Sequence, residues 1–269
     1  MKSPAKHFVL PCMAMIILLL GSSPAAFGQG FAALVAPPRF ELKAKPGGRV
    51  REVIEITNGS RQPARYRFRT ADWTLAPDGR ISVADDLQPK SCRPWVAIER
   101  NAAEVPAGGR LRYRFEVAPP VDAPAGECRF AVLIEGEEAA IASGDNFRMP
   151  IKGRIAVVVY VSVGEAAPRL EIDKAGTVQL NGQRVPAVFI RNTGNAHGRL
   201  SGFLTGTDGQ GRRWDYTPSS LPILPGETFA VTLSASNDRG QPVETTFPIT
   251  IRGTLEWAGG RLPFEHRFD

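Results

Sequence analysis

The residue types that most often carry catalysis or bind metals are sparse in this 269-residue chain. Its three histidines are His7, His197 and His266, and none lies at metal-ligand spacing from another histidine or from a cysteine. The paired acids Asp85-Asp86 and Glu137-Glu138 lie in segments without apolar periodicity, which favours solvated loop charges over a general acid–base pair. Neither a Gly-x-Ser-x-Gly elbow nor a phosphate-binding loop occurs. The sequence therefore predicts no metal site, no cofactor and no enzymatic activity.

Residues 147–163, FRMPIKGRIAVVVYVSV, could instead bind a partner through the backbone. Large apolar residues occupy alternate positions at first, namely Phe147, Met149 and Ile151, and a β-branched run then continues to Val163. Alternation is typical of a strand with one apolar face. A continuous β-branched run is typical of a strand that is buried on both faces. An edge of this kind can accept a partner strand through main-chain hydrogen bonds, with alternate side chains filling pockets. Alternatively, the three alternating side chains complete the core of this protein itself.

The elements that must position this segment are predicted to be strands. Apolar residues alternate with polar ones near 54–56, 66–68, 111–117 and 130–134, and Gly/Pro/Asn clusters separate these segments. No amphipathic helix pattern follows the N-terminal segment, and the tract 135–146 has no apolar periodicity, so it is predicted to be a loop. Many short strands between Gly/Pro turns predict an all-β fold of immunoglobulin-like β-sandwiches.

The strand pattern restarts after residue 164 and repeats a turn motif. The sequence ITNGS at 56–60 resembles IRNTG at 190–194, and in each half a Pro/Gly turn opens a later alternating strand. We therefore expect two tandem sandwiches, an N-terminal domain over 29–164 that carries the long strand and a C-terminal domain over 165–269.

The N-terminal residues 1–28 have the features of an export signal. Lys2 and Lys6 precede an apolar run over 9–20, and a small-x-small site ends at Gly28. The run is shorter than the ~20 residues that a membrane span needs, which favours a cleaved signal over a membrane anchor. An exported chain with a formal net charge of only +6 is not predicted to bind nucleic acid.

Cleavage near Gly28 would remove Cys12 and leave Cys92 and Cys128. Two cysteines in an exported chain suggest one disulfide, which would contribute about 3–4 kcal/mol in the chain-entropy model. Two unpaired buried thiols are the alternative.

Taken in order along the chain, these features resemble the periplasmic pilus-assembly chaperones of the chaperone–usher system, over about residues 34–268. The matching features are RFEL at 39–42, ITN at 56–58, FAVLI at 130–134 with a variable tract after it, and GRI at 153–155 in the long strand. The resemblance implies two immunoglobulin-like sandwiches set in a boomerang shape. It also implies that the long strand fills the groove of pilus subunits that lack their own last strand, before an outer-membrane usher receives them.

By position in this resemblance, the residues that would fill the subunit groove are Phe147, Met149, Ile151 and Ile155. Pro150 departs from a regular donor strand because it lacks a backbone N–H for the ladder.

The resemblance also implies an anchor for the C-terminal carboxylate of the subunit, made by a first-strand arginine and a long-strand lysine. Arg39 matches the arginine, but Ala156 stands at the lysine position. Arg154 and Lys152, earlier on the long strand, are the candidates to replace that lysine; the alternative is that the anchor is rebuilt elsewhere or is absent. The usual Arg-Pro at the domain junction is also absent, and a Cys92–Cys128 bridge is not a general feature of the family. The chain is therefore similar to a divergent branch.

The predicted function is that of a periplasmic chaperone whose partners are pilus or fimbrial subunits and an outer-membrane usher. A second copy of the chain could cap the exposed edge as a homodimer. The competing hypothesis is an exported immunoglobulin-like structural or adhesive protein, in which the long strand is internal. An enzyme on a sandwich scaffold is a third hypothesis, and it would require a polar pocket that the sequence does not indicate.

Overall fold

The computed structural model describes residues 31–76, 78–136, 139–143, 147–151 and 153–269. For 139–143 and 147–151 it describes the backbone pairing alone. The predicted signal peptide, residues 1–28, and Lys152 lie outside the described residues. Within these ranges the helical structure is a single 3-10 turn, Arg93–Trp95, and no helix is long and apolar enough to span a membrane.

The first half contains strands β1 to β12: β1 Ala33–Ala36, β2 Arg39–Ala44, β3 Val50–Asn58, β4 Ala64–Leu75, β5 Ile81–Ala84, β6 Val96–Ile98, β7 Ala102–Val105, β8 Arg110–Val117, β9 Gly126–Gly136, β10 Ala139–Ser143, β11 Phe147–Ile151 and β12 Arg154–Val163. The second half contains β13 Leu170–Leu180, β14 Gln183–Asn192, β15 Ser201–Thr207, β16 Arg213–Pro218, β17 Thr228–Ser236, β18 Ile249–Trp257 and β19 Gly260–Phe268.

Two sheets enclose the core of the first half. One has the order β1-β3-β8-β6, and the other has the order β2-β12-β9-β4-β5, with β7 also paired to β4. Alternation places Ile54 and Phe115 of the first sheet against Phe130 and Val159 of the second, and all four are buried. The predicted disulfide is present, with the Cα atoms of its two cysteines 5.4 Å apart, and it joins the segment before β6 to β9.

The second half is a continuous path of seven strands in the order β13-β14-β17-β16-β15-β18-β19. Its two layers share β17, which pairs with β14 through Thr232 and with β16 from Leu233 onward. A second core, which includes Leu204, Tyr216 and Ile251, lies between the layers.

No described strand pairs across the two halves: those that end by Val163 pair among themselves, as do those that start from Leu170. The halves meet instead through a smaller apolar cluster in which Trp73 and Tyr160 pack near Leu224 of the second half. The predicted all-β fold of two sandwiches is confirmed. That the two domains span 29–164 and 165–269 stays a prediction.

Two predicted elements were wrong. The tract 135–146 is not simply a loop, since β9 continues to Gly136 and β10 follows as a strand. The single long strand 147–163 is two strands, β11 and β12. β10 and β11 pair with each other as a two-stranded ribbon, and the sequence of β10, AAIAS, lacks the alternation of apolar and polar residues by which strands were predicted.

Candidate functional site

The most unusual feature of the first half is an incompletely paired strand, β12. On one side β9 pairs with its whole length, from Arg154 to Val163. On the other side β2 pairs with it in parallel only from Val158, which lies opposite Arg39. Residues 154–157 therefore have no partner on that side among the described strands. Pro37 and Pro38, which lack N–H donors, lie between β1 and β2. β1 pairs with β3 in one sheet, and β2 pairs with β12 in the other.

The unpaired edge continues into the hairpin formed by β10 and β11. These two strands pair antiparallel with each other, from Ala139↔Ile151 to Ser143↔Phe147, and with no other described strand. Pro150 lies opposite Ala140 in this ribbon. Because only the backbone of β11 is described, the groove-filling role of Phe147, Met149 and Ile151 stays a prediction. The fourth predicted groove residue, Ile155, is half-buried and packs against the first core.

The two described residues predicted to hold a carboxylate are not brought together. Arg39 begins β2 opposite Val158, and its Nε lies 3.0 Å from Glu41 Oε1. Arg154 begins β12, four positions before Val158, which is a separation of roughly 13 Å along a strand. Ala156 lies between these two positions on β12.

Arg154 is held by a charged network on the neighbouring strands. Its Nε lies 2.8 Å from Oε1 of Glu135, a buried carboxylate that Arg69 also contacts at 3.2 Å. Arg69 donates a second hydrogen bond to Asp85 at 2.6 Å. Burial lowers the pKa of Arg69, but these two carboxylates outweigh burial and raise it. The pKa of Asp85 is lowered, first by its hydrogen bond from Arg69.

A second charged cluster surrounds Glu41, at the contact between the halves. Besides Arg39, the Glu41 Oε1 atom has Arg199 Nε at 3.7 Å and His197 Nε2 at 3.6 Å. Arg199 and His197 were not predicted to belong to this site, because they lie in the second half, far along the chain from Arg39. The sequence contained one indication of this site: Glu41 lies two residues after Arg39 and therefore on the same face of the strand as Arg39.

Arg199 and His197 pack on the ring of Tyr160. The His197 ring stacks on it at 4.0 Å, and His197 Nδ1 lies 2.6 Å from Oε2 of the buried Glu127. Arg199 donates to the Ser220 carbonyl at 2.6 Å, while its buried Nε has no hydrogen-bond partner among the described residues.

Burial shifts the pKa values of Arg199 and Tyr160. It lowers the pKa of Arg199, which nearby Arg39 lowers further, and it raises the pKa of Tyr160 to about 12. Arg39 and Arg199 thus place two guanidinium groups beside one carboxylate, an arrangement suited to binding a carboxylate through charge-assisted hydrogen bonds. No group of three or more His, Cys, Asp or Glu side chains in the described part of the chain could hold a metal ion.

Comparison with known proteins gives structural likeness only. No family model and no curated protein matches the sequence. Among solved structures, the chain is similar to the class 5 fimbriae chaperone CfaA, with 13% identity, coverage of 88% of this chain and 99% of that chain, and a TM-score of 0.46.

The chain is also similar to a structure of the Salmonella enterica SafA pilin in complex with the SafB chaperone, with 12% identity, coverage of 89% and 97%, and a TM-score of 0.45. A third is the CsuC–CsuE chaperone–tip subunit pre-assembly complex from Csu pili of Acinetobacter baumannii, with 14% identity, coverage of 88% and 97%, and a TM-score of 0.42. At these identities the likeness concerns the fold alone.

Proposed function

We propose that this protein is a periplasmic chaperone of the chaperone–usher type, which binds incomplete immunoglobulin-like pilus or fimbrial subunits by pairing its own strand edge with them. The observation that carries the proposal is the edge that runs from β11 into residues 154–157 of β12, without a partner among the described strands. Such an edge is normally covered, because its free N–H and C=O groups recruit other strands. Here it is open over two successive segments, which suits it to strand addition.

The position of β2 constrains the strand that would be added. A strand along residues 154–157 would occupy the line of β2, just before Arg39. If the added strand ran parallel to β12, as β2 does, its carboxyl end would meet the first residue of β2. Arg39 and Arg199 would then hold the terminal carboxylate, in exchange for the present contact of Arg39 with Glu41. Arg154 and Lys152 remain the anchor candidates from the sequence, and Arg154 would first have to leave Glu135.

Side chains on the same edge would supply the apolar part of the binding. Phe147, Met149 and Ile151 are bulky residues at alternate positions, the spacing with which a strand fills successive pockets. Burial of each such side chain is worth roughly 1.5–3 kcal/mol, so three of them would contribute substantially to a stable complex.

The proposed compartment is the periplasm, reached through removal of residues 1–28, and the proposed recipient of the bound subunit is an outer-membrane usher. A disulfide between Cys92 and Cys128 is compatible with an oxidising compartment.

The test is co-purification of the mature protein with the incomplete subunits encoded beside its own gene. Met149→Asp plus Ile151→Asp should abolish the complex, because charges would enter the apolar groove. Arg148→Asp plus Pro150→Asp places the same two aspartates at the intervening positions of β11, at a net charge one unit lower, and should retain most of the complex. A subunit whose groove is already filled by a fused strand of its own should not bind.

Circular dichroism of the unbound variants shows which hypothesis fails. A folded Met149→Asp plus Ile151→Asp variant that binds subunits as the wild type does would refute strand donation through β11. An unfolded variant would mean that these residues belong to the core of this protein, as in a structural or adhesive protein. Sedimentation of the wild type alone tests whether a second copy caps the edge.

A further inference from the structure

The apolar series of the proposed donor segment is interrupted at one position. Residues 147, 149, 151 and 155 are all bulky and apolar, whereas position 153 in the same alternation is glycine. A strand that filled a continuous groove would lack a side chain there. Gly153 lies at the junction where β11 ends and β12 begins.

The space beside Gly153 is filled by a side chain from another part of the chain. A Cβ atom built on Gly153 would overlap Cβ and Cγ of Phe31, and one on Gly136 would lie 2.5 Å from the Phe31 ring. Neither Gly136 nor Gly153 has a left-handed φ, so the backbone does not demand glycine at either position. The two glycines also pair directly, through a 3.0 Å hydrogen bond from the Gly136 N–H to the Gly153 carbonyl.

Phe31 is held in this place by two independent contacts. Its ring meets Tyr66 edge to face at a centroid distance of 6.0 Å, and Tyr66 itself lies opposite Gly136 in the sheet. The next residue, Ala32, accepts a 2.7 Å hydrogen bond from the Gly59 N–H, which fixes the backbone beside the end of β3. Phe31 packs against the first core but is only half-buried, so part of it stays accessible at this end of the sandwich.

We propose that Phe31 supplies the apolar side chain that the donor series lacks at position 153, and that it contacts the groove of the bound subunit between Ile151 and Ile155. This inference rests on the proposed function and adds to it a binding residue from outside the donor strand. Two segments of the chain would then build one continuous apolar row. The long segment would supply residues 147, 149, 151 and 155, and the ring of Phe31 would lie beside Gly153.

A double-mutant cycle on Phe31→Ala and Gly153→Val tests the proposal, with the affinity for a neighbouring-gene subunit and the melting temperature measured for each protein. Phe31→Ala should weaken subunit binding about tenfold, the effect of losing roughly 1.4 kcal/mol. Gly153→Val alone should weaken binding and lower the melting temperature, because the new side chain overlaps the ring. The double variant should bind better than Gly153→Val alone, because valine then supplies the side chain from the strand itself.

Leu34→Ala is the matched control, since Leu34 lies in the same N-terminal segment but its side chain is exposed on β1. It should leave affinity unchanged. If Phe31→Ala lowers the melting temperature but binds the subunit as the wild type does, Phe31 only caps the core and the proposal is wrong. If Gly153→Val alone folds and binds normally, the ring does not occupy the position. If the wild type binds no subunit at all, the proposed function fails and this inference fails with it.

Discussion

The two halves share a buried asparagine that organises one end of each sandwich. The Asn58 side-chain amide donates to the carbonyls of Gln62 and Val105, and its Oδ1 accepts from the Ser60 N–H. Asn192 makes the equivalent hydrogen bonds in the second half. Its side-chain amide donates to the carbonyls of Ala196 and Ile223, and its Oδ1 accepts from the Gly194 N–H. The repeated turn motif in the sequence therefore corresponds to the same hydrogen-bonding framework.

The halves differ at their strand edges. In the second half β13 and β19, the two ends of the strand path, also contact each other, and β17 belongs to both layers. In the first half a two-stranded hairpin precedes β12, and residues 154–157 of β12 have no partner on one side among the described strands. The shared asparagine framework thus stabilises one end of each sandwich, whereas the edge proposed to bind a partner belongs to the first half.

The disulfide gives the largest expected difference between the halves, because only the first contains one. Cys92→Ala plus Cys128→Ala should lower the free energy of unfolding of the first half by about 3–4 kcal/mol, through the loss of a loop constraint. Amide hydrogen exchange, measured peptide by peptide, should show faster exchange before residue 164 and unchanged exchange from Leu170 onward. Equal acceleration in both halves would mean that they unfold as one unit, against the predicted division at 164/165.

Asn58→Ala and Asn192→Ala should each destabilise the half that contains them, by about 2–4 kcal/mol. Each substitution leaves several buried carbonyl and N–H groups without partners, and each such group costs about 1–3 kcal/mol. Asn237→Ala is the matched control. Asn237 makes the same kind of turn, accepting from the N–H groups of Arg239 and Gln241, but its side chain is only half-buried and these hydrogen bonds are exposed to solvent, so the loss of stability should be about 1 kcal/mol or less. Chemical denaturation monitored by hydrogen exchange measures all three, and a much smaller effect at one of the two buried asparagines would break their equivalence.

The sequence was sufficient for features that depend on local patterning. Alternation identified the strands of both cores, and the Asn turns identified the repeat, because a strand half-buried in a sandwich must alternate. The disulfide followed from the number of cysteines left in an exported chain. By contrast, β10 was missed, since the sequence AAIAS of Ala139–Ser143 lacks the alternation of apolar and polar residues by which strands were predicted.

Features that depend on tertiary contacts could not be predicted. Glu41, Arg199 and His197 meet because the halves pack together, and nothing local to any of the three residues indicates the other two. Gly153 belongs to the GRI motif at 153–155, but nothing in that motif indicates that Phe31, far earlier in the chain, occupies the space beside this glycine.

The smallest expected effect concerns the contribution of Asp208 to the acid sensitivity of the second half. Burial raises the pKa of Asp208, but hydrogen bonds from Arg212, Trp214 and the Gln210 N–H outweigh burial and bring the pKa to about 2. Since folding lowers this pKa from 3.8, the unfolded chain takes up the proton first, and the stabilisation present above about pH 4 is lost as the pH falls toward 2. The free energy of unfolding of the second half should fall by about 2 kcal/mol over this pH range.

Asp208→Asn should therefore lower the stability of the second half at neutral pH and flatten its dependence on pH between 4 and 2, as measured by urea unfolding with hydrogen exchange. Asp85→Asn is the matched control in the first half, where the carboxylate is exposed and its ion pair with Arg69 should contribute little to stability. If the Asp208 variant retained the full pH dependence between 4 and 2, the acid sensitivity of the second half would have to come from other carboxylates. The two halves would then differ in their strand edges and disulfide but not in how acid unfolds them.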